Sequence, residues 1–271
     1  MSISVIDEEL AKAFLDDPGL EKRIYASMYE DGDPDDVPEC RCHFCFPILH
    51  LNDATEITDA AAESLSKVKG DLSLWGLTEL SDAATESLSK VKGDLNLGGL
   101  TELSSEALAR KLAEQDGELG FKYLTKLSDA AAESLSKHQG NLSLSGLTEL
   151  SDAAAESLSK HQGGLSLHGL TEISDAAAES LSKHNGELLL GDLKELSDAA
   201  AESLSKHKGD LSLWGLTELT DAAAESLSRH KGDLSLGGLT ELSDAAAESL
   251  SKHEGEICGH DPKRWVASLR Q

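Results

Sequence analysis

The residues best equipped for chemistry crowd into one stretch, CRCHFCFPILH, from Cys40 to His50. Cys40, Cys42 and Cys45, with His43 or His50 nearby, supply the soft sulfur and imidazole donors of a structural Cys3His zinc site. Two other readings stand beside it: small apolar side chains packed where a terminal cap meets the first repeat, and a reactive or redox-active thiol. The C-x-C-x-x-C spacing does not choose among them, because the more specific zinc signature is two separated cysteine pairs. Cys258, the fourth cysteine, lies near the far end and could join only across a subunit contact. Beyond this zinc, no cofactor is expected.

Other chemistry fades on inspection. DGDPDD opens like a calcium loop through Asp31, Asp33 and Asp35, but the place of its glycine is held by Asp36 and that of its last glutamate by Cys42. An acidic loop is the better reading. Ser, His and Asp recur from segment to segment, so a catalytic set can be drawn anywhere and carries no information. G-x-S-x-G, a phosphate-cradling glycine loop and H-E-x-x-H are all missing, and no enzyme is read here.

Charge narrows the partners. The formal net charge is −26, from 24 basic and 50 acidic side chains, which opposes nucleic-acid phosphates and anionic membrane surfaces and favours a basic protein. A small-molecule substrate is not expected. No apolar run approaches the ~20 residues of a membrane-spanning helix. The opening MSISVIDEEL lacks the basic and apolar regions of a secretory signal, so the expected location is cytoplasmic.

The elements that would position these residues come from a repeat. Cutting after each recurring glycine gives segments starting at Ile48, Asp71, Asp94, Glu118, Asn141, Gly164, Glu187, Asp210 and Asp233; eight have 23 residues and the third, 94–117, has 24. Within each segment, apolar positions 2 and 4 predict a short strand with one buried face. Leucines at positions 7 and 10 continue inward. Ser or Thr at position 11, Asp at position 12 and the alanine run predict a helix with its N-cap and a favourable charge at its start. The closing glycine is expected to cap it in the left-handed conformation. A glutamate at position 16 and a lysine at position 20 are spaced to pair on an exposed face. Alanines at positions 14 and 15, with a leucine at position 18, make an apolar stripe too thin for a lone helix, so stability must come from stacking coils.

LSLWGLTELSDAAAESL resembles a leucine-rich repeat, closest to the 23-residue bacterial kind similar to BspA-type repeats. The resemblance spans about 48–255 and implies an α/β repeat solenoid: a horseshoe or arc with a parallel sheet on the concave face and short helices on the convex face. It departs at the asparagine of L-x-L-x-x-N, replaced by Leu77, Leu100, Leu124, Leu147, Leu170, Leu193, Leu216 and Leu239, and by Ala54 in the first coil. The turns then need another way to satisfy their backbone. Residues 1–47 read as an N-terminal helical cap with the acidic loop and cysteine cluster, and residues 256–271 as a C-terminal cap, where Asp261 and Pro262 suit a helix start.

Positions that differ between coils are the place to look for binding. Position 5 places Trp75, Lys122, His168 and Trp214 on the outward side of the strands, with Tyr123 beside them at position 6. Exposed tryptophan is enriched at interaction hot spots; the alternative is drift on a sheltered surface. Asp71, Asp94, Glu118, Glu187, Asp210 and Asp233 line position 1, for which solvation, a basic partner and divalent cations are all open readings. His138, His161, His184, His207, His230 and His253 share position 21, expected to be a half-buried packing ladder at ~5 Å steps that loses stability in acid. Together these features predict a non-catalytic module binding a basic macromolecule on its concave face. A spacer without a specific ligand, or a metal- or redox-responsive protein using the cysteine cluster, are the alternatives.

Overall fold

The architecture is that of a computed structural model describing residues 4–16 and 49–269. Each coil but the third gives a two-residue strand at positions 2 and 3, then a turn, then a helix over positions 12–18, as in Leu211–Ser212 followed by Asp221–Leu227; in the third the helix is Glu106–Ala113, positions 13–20. Neighbouring strands are parallel and in register, Leu211 with Leu188 on one side and Leu234 on the other. The ladder continues beyond the strand: Leu211 N–H bonds to Asp233 O at 2.9 Å and Leu213 N–H to Ser235 O at 2.8 Å. The chain is thus an α/β repeat solenoid with a parallel sheet on one side and successively packed helices on the other. No helix among the described residues is long and apolar enough to cross a membrane.

The apolar positions explain the layers. Leu211, Leu213, Leu216, Ala223, Ala224 and Leu227 are all at most 1 % exposed, and most of the equivalent described residues of the other coils join them in one continuous core. Removing such a leucine side chain costs about 2 to 5 kcal/mol in a packed interior. The exposed helix face carries the Glu–Lys pairs expected from spacing, such as Glu202–Lys206 at 3.2 Å and Glu248–Lys252 at 2.9 Å. Each adds only about 0.3 to 0.5 kcal/mol.

Helix starts tie the coils together. Ser197 Oγ accepts the N–H of Ala200 at 2.9 Å, the N-cap bond, while its hydroxyl donates to Asp175 of the preceding coil. The same hydroxyl-to-carboxylate bond joins Ser81 to Asp59, Ser174 to Asp152, Thr220 to Asp198 and Ser243 to Asp221. Aspartate at position 12 therefore serves its own helix dipole and the next coil's cap.

The expected left-handed glycine caps are not what ends the helices. Among the described residues only Gly117, Gly259 and Cys258 have positive φ; the helix Asp198–Leu204 ends in Ser205 with right-handed φ −60°. Glycine at position 23 answers a different need. A β-carbon at Gly232 would lie 2.4 Å from the carbonyl oxygen of Gly209, so consecutive coils stack backbone on backbone there. Gly238 is similarly confined, 2.3 Å from Trp214 O.

One break interrupts the stack. Strands of the first three coils form one sheet and those of coils four to nine another, with no pairing between Leu95–Asn96 and Leu119–Gly120. The N–H of Leu95 bonds instead to Gln115 Oε1 at 2.6 Å, a side chain of the 24-residue coil. A second, two-stranded pairing compensates across the same seam, Glu102–Leu103 beside Lys126–Leu127. At the start, Val5–Ile6 pairs with Glu56–Ile57 and the helix Glu8–Asp16 packs on Asp59–Leu65, so these residues act as a partial coil, an addition the helical-cap reading did not contain. At the end, Ile257 bridges to Leu234, and the helix Pro262–Ser268, capped by Asp261, buries Trp265 and Val266.

Close stacking at position 23 predicts that Gly232→Asn, which a left-handed site would tolerate, destabilises as much as Gly232→Ala. Urea unfolding should show both midpoints lowered. An asparagine variant matching wild type would return the left-handed cap.

Candidate functional site

Strand alternation turns positions 2 and 4 into the core and leaves 1, 3 and 5 on the outward face of the sheet. Serines at position 3, such as Ser143, Ser166, Ser212 and Ser235, are half-buried along its middle. On one side runs the position 1 acidic row, and on the other the position 5 side chains. Trp75, Tyr123 and Trp214 are 43, 43 and 59 % exposed, the large side chains most available for contact. Lys122 and His168 are also exposed on this row.

Each large ring at position 5 lies on a glycine of the next coil. Atoms of the Trp75 ring sit 2.9 Å from where a β-carbon of Gly98 would be; His168 Nε2 is 2.4 Å from that of Gly191, and Trp214 Nε1 is 2.3 Å from that of Gly237. The rings thus cover backbone that would otherwise face solvent, while much of their own surface stays open. Trp75 also meets Tyr123 edge to face, centroids 5.7 Å apart, and Lys122 Nζ lies 5.5 Å from the Tyr123 ring centre. This cluster bridges coils two and four, over the seam in the sheet. The ring contact and cation–π contact are each worth about 0.5 to 1.5 kcal/mol. The sequence carried a signal for this arrangement: Gly98, Gly191 and Gly237 each stand 23 residues after Trp75, His168 and Trp214.

The acidic row has a structural job that the sequence reading missed. Asp71 Oδ1 accepts the N–H of Asp94 at 2.8 Å, Asp210 that of Asp233 at 3.0 Å, and Asp233 that of Glu256 at 2.8 Å. Asn141 does the same for Gly164 at 3.0 Å. These bonds between coils satisfy backbone donors in a chain lacking the usual asparagine ladder. Partial burial, and then the neighbouring Asp71 charge, raise the Asp94 carboxyl above the ordinary carboxylate value. Glu118 and Glu187 hold their places in this row on the surface.

The histidines lie where each helix turns into the next strand, beside the position 23 glycines and the position 1 backbone. They were expected to be half-buried at ~5 Å steps; instead all six are buried, His161 completely and His253 least at 6 % exposure, with ring centroids 6.0–6.2 Å apart and planes within 4° of parallel. The chain turns inward after the last helical turn, which encloses each ring between consecutive coils. His138 has two carbonyl neighbours, Ala113 O at 3.3 Å and Gly117 O at 3.0 Å; a neutral ring can donate to only one. Neither ring nitrogen of His161, His184, His207, His230 or His253 has a hydrogen-bond partner. Backbone groups of Ser136, Gly140 and Gly164 come near His161 without meeting hydrogen-bond geometry, and favour its charged form weakly. Burial dominates: it pushes His184 and His230 down to about 4, helped by His207 and His161 for the first and by His207 and His253 for the second. His161 and His207 are lowered for the same first reason. Two neighbouring rings both charged at this spacing would repel by about 3 kcal/mol at an effective dielectric of ~20.

Cys40, Cys42 and Cys45, with His43, lie outside the described residues, as does the side chain of His50. Among the described residues, no three His, Cys, Asp or Glu side chains converge to hold a metal ion. Cys258 is partly buried, and its Sγ accepts the N–H of Leu236 at 3.2 Å. Neither the protein-family models nor the curated proteins include a match to this chain.

Seating of the rings is open to test. Gly237→Ala is expected to lift Trp214 from the backbone and raise tryptophan quenching by acrylamide, with far-ultraviolet circular dichroism preserved. Unchanged quenching would show that the ring does not rest there.

Proposed function

We propose that this chain is a non-catalytic interaction module, an arc of the leucine-rich-repeat kind, which binds a basic protein segment along its concave sheet face. The observation that carries this reading is the pair of exposed indoles seated on glycine, Trp75 and Trp214. Both present a fixed apolar surface to solvent at little further cost in side-chain entropy, which suits a binding hot spot. Their coils are six steps apart, about 29 Å at a strand spacing of ~4.8 Å. An occupant touching both must be extended or broad. The histidine rings, which follow each helix, step by 6.0–6.2 Å, more than strands do, which supports an arc curved towards the sheet.

Charge supplies the partner's sign. A net −26 accelerates encounter with a basic surface and makes binding sensitive to salt. Lys122 stands against cations close to the Tyr123 corner, so the basic groups of the partner belong nearer the position 1 row and Trp214. A spacer role is the second reading. It is favoured by the bonds that engage Asp71, Asp210 and Asp233 in holding coils together.

Affinity capture from lysate should compare wild type with a Trp75→Ala, Trp214→Ala double variant of equal circular dichroism. A basic protein retained by wild type alone, and released by moderate salt, is the expected result. Identical retention by both proteins would remove the sheet face as the binding surface and leave the spacer reading.

A further inference from the structure

We propose that the histidine row makes coils four to nine a module that acid opens selectively, while the first three coils stay closed. Every component of this device is a matter of placement. Six imidazoles are stacked in a buried file from His138 to His253, and ten of their ring nitrogens lack a partner. The same place holds Val68 and Val91 in the first two coils, which cannot titrate. The sheet is already divided between coils three and four, where Gln115 rather than a neighbouring strand takes the N–H of Leu95. Opening of the later block therefore exposes an edge whose leading donor is capped.

Within the file, new positive charge meets other imidazoles first. Each interior ring faces the two histidines beside it, and His138 faces the carbonyls of Ala113 and Gly117. The charged residues bordering His184 are Glu179, Lys183, Lys206 and Lys208, with Glu187 approaching through its backbone; at the end of the file, Asp233 Oδ1 and His253 Nε2 lie 3.1 and 2.9 Å from where a β-carbon of Gly255 would be. Glu179 is engaged by Lys183, and Glu202 by Lys206. Among the described residues, no carboxylate bonds to a ring of the file.

The direction of the pH effect follows from these groups. Free imidazole takes up a proton near pH 6.5, whereas the buried His184 and His230 resist protonation down to about 4. Well above pH 6.5 the closed and opened states bind the same protons, and the stack keeps its full stability. As pH falls through 6.5 the opened state binds more protons, and stability drains away until the closed state protonates as well. Each extra proton taken up on opening shifts the equilibrium about tenfold per pH unit. Several acting together make the transition steep.

Hydrogen exchange resolved by peptide, on the full chain from pH 7.5 to 4.5 and corrected for intrinsic rates, tests the proposal. Peptides of coils four to nine are expected to lose at least about tenfold of their protection between pH 6.5 and 5, ahead of coils one to three. A second chain carries His161→Val, His184→Val, His207→Val and His230→Val, the residue the first coils already use. Its two blocks should open together, at lower pH. Should that chain misfold at pH 7.5, His207→Val and His230→Val singly must each move the transition to lower pH. Simultaneous opening of both blocks in wild type, or a pH dependence untouched by valine, overturns the proposal.

Discussion

Parallel strands settle at ~4.8 Å, and at position 23, and at position 6 in the coils that carry glycine there, the backbones of successive coils approach until no side chain fits between them. That contact fixes register, and register decides what meets what 23 residues later. A serine meets the preceding aspartate, a strand N–H meets a carboxylate, an imidazole meets an imidazole, and an indole meets a glycine. Interactions that are weak singly become structural through repetition, because each coil is held by its neighbours rather than by its own thin core.

The same repetition explains how one residue type serves two ends. Aspartate at position 12 favours the helix start and accepts the next coil's hydroxyl. Aspartate at position 1 accepts the next coil's N–H. Much of the acidity that looks like a surface property is thus tied into the frame. The remaining carboxylates, including Glu118 and Glu187, still give the sheet face its sign. At the turn from helix to next strand, burial carried through six coils makes a file of stacked imidazoles, and it disfavours the charged form of the four in its middle, His161, His184, His207 and His230.

Much of the frame was legible from sequence, because it follows from local chemistry. Alternating leucines, Ser or Thr before Asp, and Glu four before Lys each specify a nearby geometry. Contacts between coils were harder to see. Gly232 looked like a cap until the carbonyl of Gly209 appeared against it, and position 21 looked half-buried because a three-residue offset from the leucine at position 18 ignores the inward turn of the chain. The seam had a trace in the extra residue of coil three, but the part played by Gln115 needed coordinates. Pairing of Trp75, His168 and Trp214 with glycines one repeat later was readable in principle. It required asking what each ring rests on rather than what it binds. The cysteine cluster falls outside the described residues, and its chemistry rests on sequence alone.

If rings seated on glycine make the outward sheet face a recognition surface, a bound partner must shield them. Hydroxyl-radical footprinting of the chain, free and bound to its captured partner, reads that shielding residue by residue. Trp75, Tyr123 and Trp214 are expected to become protected, with the Glu–Lys face of the helices unchanged. Protection confined to the helix face, with those three rings equally reactive in both states, would place recognition on the wrong side of the sheet for this mechanism.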